Sequence, residues 1–174
     1  MNIKRVKVGD LETNCYILTI NQNSLIIDPG DEPEKIIANV GNNNVLGILI
    51  THSHFDHIGA LNELKNKYNT PIYHKANFEE KEYEIGNFKF SVIYTSGHTD
   101  DSITIYFKDE KVMFTGDFLF KGTVGRTDLP TGDYERMQES IEKIKKYDKN
   151  IKIYPGHGET SKLELEFKNN IYLK

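Results

Sequence analysis

Five of the six histidines in this 174-residue chain fall where a predicted strand meets a loop or turn. The densest group is THSHFDH at residues 51–57, which places three imidazoles and one carboxylate within six residues. His52 and His54 point the same way if the backbone stays extended, whereas Asp56 and His57 lie at the start of a predicted helix and can turn toward a neighbouring point. Imidazole and carboxylate ligands suit zinc, iron and manganese. The segment therefore predicts part of a metal centre.

Three later segments share one pattern, a glycine beside a candidate ligand just after a β-rich run: SGH ending at His98, TGD ending at Asp117, and PGHG containing His157. Glycine lets a backbone turn sharply and approach a crowded centre. Any one of these segments alone is more often a simple turn. Together with THSHFDH they predict a single metal centre assembled from four parts of the chain.

The elements that must position these residues follow from the apolar pattern. Continuous or alternating runs rich in β-branched residues predict strands at residues 5–8, 15–19, 24–27, 45–50, 72–74, 89–95, 102–107, 112–115 and 151–154. Helical spacing predicts helices at residues 32–40, 58–68, 133–147 and 161–167. Two sheet-rich halves with outer helices predict an α/β fold, a four-layer αβ/βα sandwich with its two sheets face to face. The histidine cluster then lies on a loop between a buried strand and a helix, a common place for chemistry.

Composition and charge limit the function. Hydrophobic residues make up 37% of the chain and charged residues 28%, as is ordinary for a globular domain. The longest apolar run, residues 45–50, is far shorter than the roughly 20 residues that cross a bilayer, and no secretory signal follows Met1, so we expect a cytoplasmic protein without membrane contact. The single Cys15 fits a reducing compartment. A net charge of −4 disfavours nucleic acid and predicts a small-molecule substrate, while the oligomeric state is undetermined.

The ordered series HxHxDH, a later His, a later Asp and a final His in PGHG resembles the metallo-β-lactamase superfamily, from DPG at residues 28–30 through Gly158. The resemblance implies that His52, His54 and His98 hold a first metal, that Asp56, His57 and His157 hold a second, and that Asp117 bridges them. It implies two divalent ions, with zinc favoured and iron or manganese as alternatives. A hydroxide bridging the ions would be the nucleophile. Asp56 is the candidate catalytic residue that orients this hydroxide and accepts its proton.

Within the superfamily, FLFKGTVGRTDLPTGD at residues 118–133 is similar to the segment of small hydroxyacylglutathione hydrolase-like (glyoxalase II-like) proteins and of persulfide dioxygenases. Two features depart from the family. SGHTDD at residues 96–101 stands where relatives commonly have PGHTPG, and the chain ends about sixteen residues after PGHG. We therefore expect a single domain, residues 1–174, without the C-terminal helical domain of typical glyoxalase II enzymes. The resemblance to glyoxalase II therefore does not imply that this protein is specific for glutathione.

These observations predict a metal-dependent hydrolase that cleaves a small thioester. The main alternative is a mononuclear iron persulfide dioxygenase, followed by a lactonase or β-lactamase, a nuclease, and a metal-stabilised binding module without catalysis.

Two residues outside the ligand set also have possible roles. Asp28, at the end of the predicted strand in LIIDPG, either hydrogen-bonds the ligand loop or simply forms a turn. Arg126 either binds a substrate carboxylate through both guanidinium nitrogens or pairs with Asp128 or another acid to hold its own loop.

Overall fold

The computed structural model describes all 174 residues. Five strands form the first sheet in sequential order: β1 Asn2–Val8, β2 Thr13–Ile20, β3 Asn23–Ile27, β4 Asn44–Leu49 and β5 Ile72–Tyr73. The first three strands are antiparallel, and the last two run parallel to β3. The parallel connections carry three helices: α1 Pro33–Val40, α2 Phe55–Ile58 and α3 Leu61–Tyr68.

The second sheet has six strands in the order β13-β12-β9-β8-β7-β6. The elements of this half are β6 Glu82–Ile85, β7 Phe88–Tyr94, β8 Ile103–Phe107, β9 Val112–Gly116, β10 Leu119–Phe120, β11 Thr123–Val124, α4 Tyr134–Ile144, β12 Lys152–Pro155, β13 Ser161–Lys162 and α5 Leu163–Asn169. Strands β10 and β11 form a separate hairpin. Single 3₁₀ turns span Lys75–Asn77 and Ile171–Leu173. None of the helices combines the length and apolarity needed to span a bilayer.

Each sheet is apolar on both faces. Between the sheets, buried side chains such as Tyr16, Leu25, Phe90 and Phe114 form one core. The outer face of the first sheet packs against α1 and α3, and that of the second sheet packs against α4 and α5. Burial of each large apolar side chain in these layers adds roughly 1.5–3 kcal/mol to the free energy of unfolding. This arrangement confirms the four-layer αβ/βα sandwich.

Strand direction places the candidate ligands at one edge of the sandwich. Strands β3 and β4 are parallel, so the loops after them leave the first sheet on the same side. Strands β9 and β12 are parallel, and β7, antiparallel to β8, runs in the same direction as β9. Every segment with a candidate ligand follows one of β4, β7, β9 and β12. Loops at the carboxyl ends of parallel strands are where α/β sheets bind ligands.

The differences from the predicted elements lie at ends and in short pieces. The helix predicted over residues 133–147 ends at Ile144, and the last helix begins at Leu163 because Ser161 and Lys162 pair with β12 instead. The helix predicted after the histidines is two helices, interrupted at Gly59 and Ala60. The apolar pattern does not predict β6, β10, β11 and β13, which have two to four residues each and therefore give a weak signal.

Candidate metal centre

The structure brings all seven predicted ligands into one cluster. Their ligand atoms form three overlapping groups, within each of which every pair of atoms lies within 4.8 Å: His52, His54 and His98; His52, His57 and Asp117; and Asp56, His57 and His157. The first and third groups are the two triads that the resemblance implies. The second group joins them through Asp117.

The first triad consists only of imidazoles. His54 Nδ1 lies 3.2 Å from His52 Nε2 and 2.9 Å from His98 Nε2, and the rings of His54 and His98 are nearly perpendicular, at 88°. His52 and His98 are buried, whereas His54 is half-buried. Three ring nitrogens thus converge on one point.

The second triad includes a carboxylate and lies beside the first. Asp56 Oδ2 is 3.1 Å from His157 Nε2 and 3.5 Å from His57 Nε2. Asp117 stands between the triads, because its Oδ1 is 3.3 Å from His57 Nε2 while its Oδ2 is 3.6 Å from His98 Nε2 and 3.5 Å from His157 Nε2. A carboxylate with each oxygen near a different set of imidazoles has the geometry of a bridging ligand.

Hydrogen bonds behind the rings fix which nitrogen faces the cluster. The Nδ1 atoms of His98 and His157 are 2.8 and 3.0 Å from the carbonyl oxygens of Arg126 and Leu11, so each Nδ1–H donates and each Nε2 is left with a lone pair. His57 Nδ1 lies 3.0 Å from Asp28 Oδ2 in the same way. Such partners orient imidazole ligands and raise their basicity.

Asp28 supports ligands of both triads through hydrogen bonds. It is buried, with a left-handed backbone (φ 50°), and its Oδ1 accepts a hydrogen bond from the Thr51 backbone amide at 2.8 Å. Its Oδ2 accepts from the Thr51 hydroxyl at 2.6 Å as well as from His57. The Thr51 hydroxyl is in turn 3.2 Å from His52 Nδ1. One carboxylate therefore connects the β3 end to ligands of both triads.

The cluster meets the requirements of divalent metal ions. His57 Nε2 and Asp117 Oδ1 are buried and have no hydrogen-bond partner, although unpaired buried polar atoms are rare and costly. Both atoms face the centre of the cluster, where a cation would satisfy them. The imidazole and carboxylate donors suit zinc, iron or manganese, and no thiolate is present to bias the choice.

Without metal, protons must balance the charge of these groups. Burial opposes protonation of His57, but the Asp28 carboxylate and the contacts with Asp117 outweigh it and raise the pKa of His57 to about 10. Burial likewise opposes ionisation of Asp117, yet the close contact with His57, whose Nε2 lies 3.3 Å from Oδ1, and the charge of that ring lower the Asp117 pKa to about 2. Burial and the neighbouring His57 lower the pKa of His52. The site thus favours one buried positive charge among its carboxylates.

Two glycines make the close approach of the ligand loops possible. At Gly156 a Cβ would overlap Asp117 Oδ1 and lie 2.6 Å from His57 Cε1. At Gly116, where φ is +48°, a Cβ would overlap the Thr51 hydroxyl. The glycines of PGHG and TGD therefore leave room for other ligands and their supports, as the sequence analysis expected of a crowded centre.

Three residues of the first sheet that no sequence pattern indicates hold the His157 loop. Asn14 is fully buried, and its side-chain amide donates to the carbonyls of Pro155 and Gly158 at 3.0 and 2.9 Å. The Tyr16 hydroxyl also donates to Pro155, at 2.7 Å, and Arg5 donates to Gly158, at 3.0 Å. These partners lie about 140–150 residues apart in the chain, so no local pattern reveals them.

Arg126 contributes its backbone and its side chain separately. Its carbonyl orients His98, as described above. Its exposed guanidinium binds both carboxylate oxygens of Asp128, at 2.6 and 2.7 Å. Of the two roles that the sequence leaves open, pairing with Asp128 is the one formed in this structure.

Known proteins resemble this chain over its full length. Hydroxyacylglutathione hydrolase GloC of Haemophilus influenzae is 31% identical over 99% of this chain and 98% of that protein. The crystal structure of BLEG-1 B3 metallo-beta-lactamase superposes with a TM-score of 0.95 at 30% identity, covering 99% of both chains. TTHA1623, solved in a di-iron-bound form, gives a TM-score of 0.89 at 30% identity over 98% of this chain and all of that chain.

The sequence also matches a family model over residues 8–82 and 76–157, which together span most of the chain and all seven candidate ligands. That model describes the metallo-beta-lactamase superfamily. The match agrees with the four-layer fold, the ligand cluster at its edge and the full-length relatives. The chain belongs to the metallo-β-lactamase superfamily.

Proposed function

We propose that this protein is a metal-dependent hydrolase that cleaves small thioesters with two divalent ions, zinc being the first choice. The observation that carries the proposal is the bipartite cluster, with an all-histidine triad, a mixed triad and Asp117 between them. A structural metal site needs only one closed set of four ligands, so seven clustered donors favour catalysis over a binding module.

When bound, the ions lower the pKa of water and polarise a carbonyl group. The protein would hold the first ion with His52, His54 and His98, the second with Asp56, His57 and His157, and both with Asp117.

Asp56 is our candidate general base. Burial opposes its ionisation, but the hydrogen bond with His157 and the charge of His57 hold its pKa well below the usual range. The Thr13 hydroxyl donates to Asp56 Oδ2 at 3.0 Å and fixes the orientation of the carboxylate. An ionised, oriented carboxylate in the cluster can accept a proton from the attacking water.

The protein side chains near the cluster do not offer a competing nucleophile, because the Thr13 hydroxyl, which donates to Asp56, is buried. The Ser53 hydroxyl, on the ligand loop, donates to Asp101. Cys15 is fully buried, and burial together with Asp28 raises the pKa of its thiol, so it stays protonated and inaccessible. Attack by water is the remaining route, which supports hydrolysis without a covalent enzyme intermediate.

Similarity to the Haemophilus influenzae hydroxyacylglutathione hydrolase supports a thioester as the substrate class. The second candidate function is a persulfide dioxygenase that uses one iron, because residues 118–133 are similar to the corresponding segment of that class as well. The structure of TTHA1623, solved in a di-iron-bound form, supports iron as a candidate metal. The two functions differ in metal content and in the need for O₂.

One experiment separates them. The metal content of the purified protein is measured, and S-lactoylglutathione hydrolysis is assayed beside O₂ consumption with glutathione persulfide. Two ions per chain with thioester cleavage supports the proposal, whereas one iron per chain with persulfide-dependent O₂ uptake overturns it.

Variants of the ligands test the site itself. His54→Ala and Asp117→Ala should each lose metal and activity. His74→Ala, which changes the one histidine outside the cluster, is the matched control and should keep both. Full activity in a metal-depleted Asp117→Ala protein would contradict the site.

A further inference from the structure

A pair of side-chain hydrogen bonds joins the two loops that carry the all-histidine triad. Asp101 lies in the second-sheet loop that contains His98, and its carboxylate accepts both hydrogen bonds. Its Oδ1 accepts from the Thr99 hydroxyl at 2.7 Å, and its Oδ2 accepts from the Ser53 hydroxyl. Ser53 belongs to the other loop, which follows β4 in the first sheet. One carboxylate therefore contacts both ligand loops of this triad.

On the second-sheet side, buried hydroxyl groups fix Asp101 relative to His98. Thr99 follows His98 directly in the chain, and Thr99 and Ser102 are both buried. The Thr99 hydroxyl has a single hydrogen and donates it to Asp101, so it accepts a hydrogen bond from the Ser102 hydroxyl, 2.6 Å away. The Ser102 hydroxyl in turn accepts from the Thr99 backbone amide at 3.3 Å. The carboxylate is thus held at a fixed place beside the His98 backbone.

On the first-sheet side, the connection holds the chain on both sides of His52. The backbone carbonyl of Thr51 accepts a hydrogen bond from the Ile103 amide at 2.9 Å. The Ser53 hydroxyl donates to Asp101, as described above. The residues before and after His52 are therefore both tied to the second-sheet segment that follows the other loop of the triad.

His54 has no hydrogen bond behind its ring and depends on the backbone for its position. Its Nδ1 faces the cluster, and its Nε2 forms no hydrogen bond with the protein. The rings of His98 and His157, by contrast, are each fixed by a backbone carbonyl. Ser53 precedes His54 directly, so its hydrogen bond with Asp101 is the nearest side-chain restraint on this ligand.

Asp101 also distinguishes this chain from its relatives. It stands where relatives commonly have the last glycine of PGHTPG, and glycine has no side chain to form either hydrogen bond. The neighbouring Asp100 is different, because it contributes through its backbone only. Its carbonyl accepts hydrogen bonds from Lys75 and from the Ser96 hydroxyl, and its carboxylate has no hydrogen-bond partner. Of the two acidic residues in this loop, only Asp101 connects the ligand loops through its side chain.

We infer that Asp101 is a positioning residue for the first metal ion. Its carboxylate fixes the two ligand loops relative to each other, so that the three imidazoles of the all-histidine triad converge on the ion. The inference rests on the proposed metal centre, but it requires only the first of the two ions and does not depend on the substrate. Loss of the partners that orient metal ligands typically weakens metal binding about 10- to 100-fold. Because Ser53 is exposed and water can replace part of the contact, we expect a loss of about tenfold.

The test measures the affinity of the first ion by titration of the metal-free protein with Zn²⁺ against a competing chelator. His157→Ala removes a ligand of the mixed triad, so the titration in this background reports the all-histidine triad. Adding Asp101→Ala should weaken binding about tenfold in that background. With Co²⁺ as the probe, the visible absorption of the bound ion should change as well, because its bands depend on the arrangement of the ligands. In the otherwise wild-type protein, Asp101→Ala should weaken one ion and leave the other unchanged.

Asp100→Ala is the matched control, because it removes the same carboxylate one residue away without removing a hydrogen bond of a side chain. It should leave the affinity and the Co²⁺ spectrum unchanged. Ser53→Ala should weaken the first ion, whereas Ser53→Thr keeps the hydroxyl and should bind as the wild type does. Ser53→Ala combined with Asp101→Ala should bind no more weakly than Asp101→Ala alone, since both changes remove the same contact. Ser53 is exposed, so these variants test the contact even if Asp101→Ala does not fold.

The outcomes separate the inference from the proposed function. Wild-type affinity for the first ion in Asp101→Ala and Ser53→Ala, or equal weakening in Asp100→Ala, would overturn the inference and leave the two-metal hydrolase standing. Additive losses in the double variant would also overturn it, because the two side chains would then act independently. A wild-type chain that binds a single ion, weakened by Asp101→Ala, would support the inference and contradict the two-metal proposal. A wild-type chain that binds no ion would reject both.

Discussion

Replacing Asn14 with leucine keeps the branched shape of a fully buried side chain and removes its hydrogen bonds to the His157 loop. The carbonyls of Pro155 and Gly158 retain a donor each, from Tyr16 and Arg5. The loop would therefore lose two of its anchors to the first sheet without leaving a carbonyl unpaired. The His157 ligand, between those carbonyls, should become less well positioned.

The size of the effect follows from the contacts. Two lost hydrogen bonds cost about 1–3 kcal/mol, whereas removal of Asn14 Oδ1, which is buried without a partner, returns a desolvation penalty of about 1–3 kcal/mol. These contributions nearly cancel, so the free energy of unfolding of the metal-free protein should change by less than about 2 kcal/mol. Loss of the partners that orient a metal ligand typically weakens metal affinity about 10- to 100-fold. Metal binding should thus change far more than stability.

The assay is titration of the metal-free protein with Zn²⁺ against a competing chelator, with Co²⁺ absorption as a second readout. In Asn14→Leu we expect one ion to bind as in the wild type and the other to bind about 10- to 100-fold more weakly. Asn170→Leu is the matched control, because Asn170 is equally buried and its side chain donates to Thr123 and Glu166, away from the His157 loop. Wild-type affinity for both ions in Asn14→Leu, or equal weakening in Asn170→Leu, would refute the reasoning.

Three further results are expected. Asp28→Asn should weaken metal binding about 10- to 100-fold in the same titration, because an amide cannot accept hydrogen bonds through both terminal atoms as Asp28 does. Gly156→Ala should lose metal by elemental analysis while keeping its far-ultraviolet circular dichroism, since the added methyl overlaps Asp117 Oδ1 and Gly156 lies in the loop after β12, outside the helices and strands. In the metal-free protein the pKa of His57 is raised to about 10 from 6.5, so its protonation stabilises the fold fully below pH 6.5 and this contribution is lost as pH rises through about 10. Urea unfolding at pH 7 and pH 10 should show the decrease, and a pH-independent midpoint would contradict it.

The metal ligands could be predicted because their signals are local and ordered. THSHFDH places four candidates in six residues, and each later ligand follows a strand that the apolar pattern predicts. The directions of those strands then decide that the ligands meet at one edge. Spacing could not show that His54 presents Nδ1 to the cluster while His98 presents Nε2, because the choice depends on ring partners such as the Arg126 carbonyl.

Other parts of the site could not be predicted, because they depend on contacts between the two sheets. Asn14 and Tyr16 lie in a strand whose sequence indicates only burial, yet their polar atoms hold a loop of the other sheet. The Arg126 side chain has two chemically sensible partners, and only its distance to Asp128 decides between them. The Phe55 ring, in the middle of the ligand motif, would be expected in a core by composition but is exposed.

The metal centre is consequently a product of sheet packing as much as of ligand spacing. The first sheet supplies the segment from His52 to His57, and the second sheet supplies His98, Asp117 and His157. Neither sheet alone contains a complete pair of triads, and the His157 loop is held by hydrogen bonds from the first sheet. Because metal binds only the assembled arrangement, its binding free energy adds to the stability of the sandwich. The apolar core between the sheets thus positions the ligands, and the ligands, once they bind metal, hold the sheets together.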